Sequence, residues 1–293
     1  MPSPRSEKQK LGVQAEVEHS CPNARLIVCG AGENKLMVDS LPAILAKVRM
    51  RTPARLLAGR SGGAYRTSMQ LELRAAHAAA RDAVRTDFDL EAHLGTELIE
   101  RYGIFEVTTE ATSKDEYLLR PDLGRRFSLD AGRKISESCQ RAADLQICVG
   151  DGLSTTAVAS QVPALLPLLL EGAARRGWKT GQTFAIRFCR VGILNEIGDV
   201  LQPKVAVLLI GERPGLATAE SLSAYMAYRA HAGQTDADRN LISNIHARGV
   251  RVEDAAVRIL NLAERMMRME LTGVHLREEF PESPTANQLS QSD

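Results

Sequence analysis

The sequence predicts an α/β protein, because its two halves carry different hydrophobic patterns. From about residue 144, short apolar runs such as LQICVG and KVAVLLIG alternate with helical segments. Apolar runs of this length are typical of parallel strands that are buried on both faces and joined by right-handed crossovers. Before that point the pattern is mainly helical and rich in alanine. The chain is therefore expected to form a Rossmann-like three-layer C-terminal domain with a smaller helical N-terminal domain.

Four segments follow from these changes in pattern. Residues 1–36 are polar and weakly patterned, which predicts a flexible N-terminal segment, and residues 37–104 are predicted to form the helical N-terminal domain. Residues 105–276 are predicted to form the Rossmann-like domain. Residues 277–293 have the polar composition of a disordered tail.

Two helices are predicted before residue 104. Asp39 or Ser40 can cap the first, LPAILAKVRM, which carries a proline in its first turn. Thr67 or Ser68 can cap the second, which is long and rich in alanine. The positions predicted to form its buried face are Met69, Leu73, Ala76 and Ala80.

In the C-terminal half, strands are predicted at residues 145–150, 183–191 and 205–210. Asp151 or Ser154 can cap the helix that follows the first strand. The last long helix, VEDAAVRILNLAERMMRMEL, has a clear apolar stripe and is predicted to end at Gly273. Its stripe consists of Ala256, Ile259, Leu260, Ala263 and Met267.

The composition is that of an ordinary soluble globular protein, with 44% hydrophobic and 25% charged residues. A net charge of +1 gives no basic surface of the kind that binds nucleic acid. No apolar run approaches the roughly 20 residues of a membrane helix, and Pro167 interrupts the run ALLPLLLEGA. We therefore expect neither a nucleic-acid partner nor a membrane partner.

The cysteines show no C-x-x-C pair, and Cys148 and Cys189 lie inside apolar runs. Buried free thiols in a reducing cytoplasm are the expected state, with no metal site.

The familiar catalytic motifs are missing. The sequence has no phosphate-binding loop of the G-x-x-x-x-G-K-[ST] type, no complete G-x-G-x-x-G, no H-E-x-x-H and no G-x-S-x-G. Three segments that leave predicted strands would meet at one sheet edge, where α/β proteins bind ligands: GDGLS, RV and GERPGL. This pattern predicts a binding site that has no catalytic residues of its own.

The residues of these segments resemble a known family. GERPGL, with DGLS upstream and DADRNLISNIH downstream, is similar to the small (light) subunit of ethanolamine ammonia-lyase. GRSGGAYRTSMQLELRAAHAAARDAV, YLLRPDLGRR, IGDVL and AESLSAY match the family in the same order. Together the matches cover roughly residues 40–276, and their combination is specific although no single one suffices.

The resemblance implies an adenosylcobalamin-dependent radical enzyme, an ammonia-lyase that converts ethanolamine to acetaldehyde and ammonia. It implies a hetero-oligomer in which a large subunit holds the substrate and most of the cobalamin, while the small subunit closes over part of it. A cytoplasmic location follows, with a bacterial microcompartment as the alternative. In this family the N-terminal segment of the small subunit is linked to that enclosure, but residues 1–36 are only weakly amphipathic here.

Three cofactor contacts carry over from the family by position: Val191, Glu212 and Leu241. Val191 and Leu241 are expected to pack on the cofactor, and Glu212 is expected to accept hydrogen bonds from its amide groups. Related chains can carry cysteine at the Leu241 position, which an apolar contact tolerates. For Glu212, a loop cap or a pair with Arg213 is the alternative.

Two other functions stay open at this point. One is a structural or assembly partner of a larger enzyme that makes no direct cofactor contact. The other is a free-standing Rossmann-like enzyme with a nucleotide cofactor, against which the incomplete glycine fingerprint counts.

Overall fold

The computed structural model describes residues 47–48, 50–51 and 65–278. Residues 47–48 and 50–51 are helical, and the predicted caps Asp39 and Ser40 lie outside the described residues. Residues 65–278 form a mixed α/β structure around a six-stranded sheet, which confirms the α/β class.

The helices and strands of this part alternate over most of its length. The helices are α1 (Thr67–Arg85), α2 (Leu90–Leu94), α3 (Thr96–Tyr102), α4 (Lys114–Leu119), α5 (Leu129–Ser138), α6 (Thr155–Arg175), α7 (Ile193–Leu201) and α8 (Val252–Met269). The strands are β1 (Phe105–Thr108), β2 (Leu145–Gly150), β3 (Phe184–Arg187), β4 (Val205–Gly211), β5 (Leu222–Tyr228) and β6 (Asn240–Ile245). Short 3₁₀ helices occupy Leu123–Arg125, Asp236–Asp238 and Gly273–His275.

The sheet has the strand order β1-β3-β2-β4-β5-β6. The four strands β1, β3, β2 and β4 run parallel, as the sequence pattern predicts for the last three. The pairs β4–β5 and β5–β6 are antiparallel and were not predicted. No helix separates β4 from β5, so the strand–helix alternation that indicates parallel strands ends there.

Both faces of the central strands are buried, which explains why their sequences are continuously apolar. Residues alternate between the faces: Val207 and Leu209 pack with α6 and α8, whereas Leu208 and Ile210 pack with α5 and α7. The sheet is therefore covered by helices on both sides, and its strand ends are left to form the loops.

Two predicted helix boundaries are wrong. The helix α1 begins at Thr67 after Arg66, so neither Thr67 nor Ser68 caps it. The helix α8 ends at Met269, because Glu270 takes a left-handed conformation (φ 54°), and Gly273 begins a 3₁₀ helix instead.

The two predicted apolar stripes are confirmed to different degrees. In α8, four of the five predicted positions are buried and the fifth, Met267, is half-buried. In α1, the predicted positions are all half-buried, and no residue of the helix is fully buried.

The helix α6 continues through Pro163 and Pro167. Each proline removes one backbone hydrogen bond of the helix. By length and composition alone α6 could cross a membrane, and half of its most apolar window is buried inside the chain.

The start of α6 fixes the chain beside the ends of β2 and β4. Ser154 is fully buried; its hydroxyl accepts a hydrogen bond from the Ala157 N–H (3.2 Å) and donates one to the Ala219 carbonyl (2.5 Å). It is therefore the cap of α6, and it also holds the loop that follows β4.

We expect Ser154→Ala to lower the free energy of unfolding by about 2–3 kcal/mol, because it removes a helix cap and leaves a carbonyl without its donor. Urea denaturation of the full chain measures this change. Ser136→Ala is the matched control, since the exposed Ser136 hydroxyl donates to the Gly132 carbonyl within α5 and has no other partner in the described part of the chain. Equal losses in the two variants would contradict the prediction.

Candidate functional site

A pocket of about 320 Å³ opens where β2, β3 and β4 end, and we call it the strand-end pocket. All three residues predicted from the sequence, Val191, Glu212 and Leu241, lie in its wall. They come from the loop after β3, from the residue that follows β4, and from β6. The structure thus brings together side chains that are up to 50 positions apart in the sequence. Tyr117, Arg190 and Tyr225 also line the pocket.

Among the residues that the structure describes, three groups donate hydrogen bonds to the Glu212 carboxylate. Its Oε1 accepts from the Ser223 hydroxyl (2.6 Å) and from the Asn244 backbone N–H (2.9 Å), and its Oε2 accepts from the Ser221 hydroxyl (2.7 Å). The carboxylate therefore joins the end of β4 to β5 and β6. Arg213, one of the two alternative partners predicted for Glu212 from the sequence, is not among these donors.

The Glu212 carboxylate can accept one further hydrogen bond in addition to these three. A carboxylate has about four lone-pair positions. Among the described residues, three donors reach this group, and only one of them reaches Oε2. Because the side chain is half-buried and lines the pocket, the free position of Oε2 is available to a ligand.

Val191 reaches the pocket because β3 ends earlier than predicted. The strand stops at Arg187, and Phe188 takes a left-handed backbone conformation (φ 57°). The Asp151 carboxylate accepts the N–H groups of Phe188 (3.0 Å) and Cys189 (2.8 Å). Residues 188–191 therefore leave the sheet as a loop, and the prediction of a strand over 183–191 is wrong in its second half.

A buried ionic network supports this loop from behind. The Asp151 carboxylate is 1% exposed, and Lys114 Nζ lies 3.7 Å from its Oδ2. Burial raises the pKa of Asp151 above its ordinary range, although Lys114 and the loop N–H groups act in the opposite direction. Asp151 thus positions the loop after β3, and the cap of α6 is Ser154 alone.

Tyr117 and Arg190 form the adjoining side of the pocket. The Tyr117 hydroxyl donates to the Cys189 carbonyl (2.9 Å), and the Arg190 guanidinium carbon lies 4.2 Å from the centre of the Tyr117 ring. Cation–π contact of this kind favours a fixed guanidinium position. Together with Asp151, this stacked pair holds Val191 at the pocket.

Leu241 presents an apolar side chain to the outside. It lies on β6 opposite Tyr225 of β5, and it is 44% exposed. A large aliphatic side chain on a strand beside a pocket is available to pack against a bound group or a partner chain.

The described wall of the pocket offers few groups that could act as a nucleophile or bind a metal ion. Cys189 lines it, but burial raises the pKa of this thiol well above its ordinary value, so it is a poor nucleophile. Within the described part of the chain, no group of three or more His, Cys, Asp or Glu residues could hold a metal ion. Cys139 and Cys148 are, like Cys189, buried free thiols. The wall is suited to holding a ligand.

Several residues in or beside the pocket could not be assigned to the site from the sequence. Ser221, Ser223 and Tyr225 lie on or beside β5, whose segment LSAYMAY was not read as a strand. His246 was not assigned to the site. The segment NLISNI, which precedes it, does not alternate regularly between polar and apolar residues, so it carries no clear strand signal.

A pocket at the carboxyl ends of parallel strands is typical of α/β proteins that bind a ligand at this edge of the sheet. Comparison with known proteins gives the particular family. A family model described as ethanolamine ammonia-lyase light chain matches residues 43–277. The chain belongs to this family, and it is therefore a subunit of an ammonia-lyase.

Individual relatives agree with the family match. The chain is 40% identical over 248 residues to the ethanolamine ammonia-lyase small subunit of Clostridium perfringens, which covers 84% of this chain and 82% of the relative. It is 39% identical over 246 residues to the small subunit of Clostridium acetobutylicum, covering 84% and 99%. The small subunit of Clostridioides difficile is 39% identical over 230 residues, covering 78% and 76%.

Proposed function

We propose that this chain closes over adenosylcobalamin, which the large subunit of ethanolamine ammonia-lyase holds for the conversion of ethanolamine to acetaldehyde and ammonia. Family membership supports the reaction and the need for a large subunit. The observation that carries the contact is the position of Glu212, whose braced carboxylate lies in one pocket with Val191 and Leu241.

The size of the pocket fits one side of a large cofactor. At about 320 Å³ it is at the small end of ligand pockets, which span about 300–1,000 Å³. It can receive an edge of a corrin ring but cannot enclose the whole molecule. The remainder of the cofactor then lies against another chain, as expected for a cofactor shared between two subunits.

The residues of the pocket also fit the chemistry of that edge, which carries neutral amides and apolar faces. Oε2 of Glu212 accepts a hydrogen bond from an amide N–H, and Val191 and Leu241 pack against the apolar surface. When bound, adenosylcobalamin supplies the radical that begins the reaction. The part of this chain is to hold the cofactor edge and to exclude water from it.

The finer organisation is proposed together with this function. We propose that residues 105–276 form a Rossmann-like cobalamin-contacting domain, that residues 37–104 form a helical domain, and that residues 1–36 and 277–293 are flexible. The proposed assembly is a hetero-oligomer with the large subunit, without nucleic acid or membrane. Its proposed location is the cytoplasm, with enclosure in a bacterial microcompartment as the alternative.

Ammonia release from ethanolamine tests the proposed function. The large subunit is assayed with adenosylcobalamin in the presence and in the absence of this chain. We expect activity only when both chains are present. Equal activity of the large subunit alone would contradict an obligate role.

The second candidate function is a structural partner that makes no cofactor contact. It is favoured by the half-buried stripe of α1, a face that another chain could cover. If the large subunit needs this chain for solubility but binds adenosylcobalamin equally well without it, this second function replaces the first.

A further inference from the structure

His246 is a buried histidine next to the proposed cofactor contact. It follows the last residue of β6 and is 3% exposed. It lies in the tight turn between β6 and α8. No step of the proposed function uses it, so its burial and its hydrogen bonds need another explanation.

The imidazole ring has a partner on each nitrogen. Nδ1 lies 3.2 Å from the backbone N of Arg248, and Nε2 lies 2.7 Å from Oδ1 of Asn244. Because the backbone N–H can only donate, Nδ1 is the acceptor of the first bond. Nε2 therefore carries the proton and donates it to Asn244. The ring is neutral and its tautomer is fixed.

Asn244 connects this ring to Glu212. Its backbone is left-handed (φ 62°), a conformation that is uncommon for residues other than glycine. In this conformation its N–H donates to Oε1 of Glu212 (2.9 Å), and its carbonyl accepts the Val250 N–H (2.8 Å). The bond from His246 to the Asn244 side chain holds the residue in this turn.

The turn leaves little room for another arrangement. A Cβ atom on Gly249 would lie 2.2 Å from the Asn244 carbonyl oxygen, so the two backbone segments are in close contact. Arg248 extends from the same turn and donates to the Ala217 carbonyl (3.2 Å), in the loop that follows Glu212. The His246 turn thus contacts both the carboxylate and the loop that carries it.

We propose that His246 is a positioning residue for the cofactor contact: it fixes Asn244, and through the Asn244 N–H it fixes the Glu212 carboxylate in the strand-end pocket. This inference rests on the proposed role of Glu212. It adds a relay from His246 to Asn244 to Glu212, whose carboxylate also accepts from the hydroxyls of Ser221 and Ser223.

The relay makes the contact sensitive to pH. Burial and the positive charge of Arg248 lower the pKa of His246 below its ordinary value of about 6.5, while the carboxylates of Glu212 and Glu220 act in the opposite direction. Protonation converts Nδ1 into a donor that faces the Arg248 N–H, so the bond that holds the ring to residue 248 is lost, while Nε2 still donates to Asn244. The ring is therefore held on both sides at neutral pH and loses one of its two supports as the pH falls through the lowered pKa, which loosens the position of Asn244.

The test is an absorbance titration of adenosylcobalamin into the complex of this chain with the large subunit. We expect His246→Leu to raise the Kd about fivefold, which corresponds to one ordinary hydrogen bond. We expect His246→Gln, whose amide can still donate to Asn244, to keep a Kd near that of the unsubstituted complex. Between about pH 5 and pH 8 the unsubstituted complex loses affinity on acidification, and the glutamine variant does not.

The variant Asn244→Gly removes the hydrogen bond between His246 and the Asn244 side chain, so it serves as the background for a second test. Glycine keeps the backbone N–H and adopts the left-handed conformation readily, but it removes the side-chain acceptor. In this background we expect His246→Leu to cause no further change in Kd. A full additional fivefold loss, or the same pH profile in His246→Gln as in the unsubstituted complex, would overturn the proposal.

A parallel titration of the complex with Glu212→Gln distinguishes a failure of the relay from a failure of the proposed cofactor contact. If this variant weakens binding while the histidine variants behave like the unsubstituted complex, the relay is wrong and the cofactor contact stands. If Glu212→Gln leaves the Kd unchanged, the proposed cofactor contact is wrong, whatever the histidine variants show.

Discussion

Replacement of Glu212 with glutamine is expected to weaken the binding of adenosylcobalamin to the two-subunit complex about ten- to a hundredfold. A hydrogen bond to a charged acceptor contributes about 1.5–3 kcal/mol, and tenfold in affinity corresponds to about 1.4 kcal/mol. Glutamine has the same shape, but it loses the charge and turns an NH2 group toward one set of donors. Equilibrium titration of the apo-complex, followed by absorbance, measures the change.

The matched control is Glu220→Gln, which removes the same charge from an exposed residue of the loop between β4 and β5. Glu220 does not line the pocket, so its replacement should leave the affinity within about twofold of the starting value. Circular dichroism of both variants should match that of the unsubstituted chain. Equal affinities of the Glu212 and Glu220 variants would show that Glu212 does not contact the cofactor.

Gly152→Ala is expected to have the largest effect on stability. Gly152 follows β2 with a left-handed backbone (φ 59°), and a Cβ atom there would lie 2.2 Å from the Gly211 carbonyl oxygen. The left-handed conformation costs an alanine about 1–2 kcal/mol, and the forced backbone shift adds about 1–3 kcal/mol. We therefore expect the free energy of unfolding of the full chain to fall by about 2–5 kcal/mol, measured by urea denaturation.

Gly177→Ala isolates the conformational part of this loss. Gly177 is also left-handed (φ 71°), but a Cβ atom there would meet nothing within 4 Å. Its replacement should cost only about 1–2 kcal/mol. Because Gly152 lines the pocket between β2 and β4, its alanine variant should also bind the cofactor more weakly, whereas the Gly177 variant should not. Similar stability of the two variants would mean that the close approach of Gly152 to Gly211 is unimportant.

The sequence was most informative where burial determines residue type. The runs that became β2 and β4 are apolar throughout because both sheet faces are covered, and this pattern is recognisable without a structure. The segment GERPGL could be predicted to lie at the sheet edge because it directly follows such a strand. The choice of Glu212, together with Val191 and Leu241, as site residues followed from the family resemblance.

Features set by tertiary hydrogen bonds could not be read from the sequence. The early end of β3 depends on the Asp151 carboxylate, which lies 37 positions before the Phe188 N–H that it accepts. The strand β6 carries polar side chains because one of its faces borders the pocket, so NLISNI could not be recognised as a strand. The role of His246 appears only when its two ring partners are known.

The affinity of the large subunit for adenosylcobalamin, measured with and without this chain, tests the proposed cofactor contact. We expect the cofactor to bind more tightly when this chain is present, and we expect the complex with Glu212→Gln to lose much of that gain. The same Kd in the presence and in the absence of this chain would contradict a cofactor-facing role for the strand-end pocket.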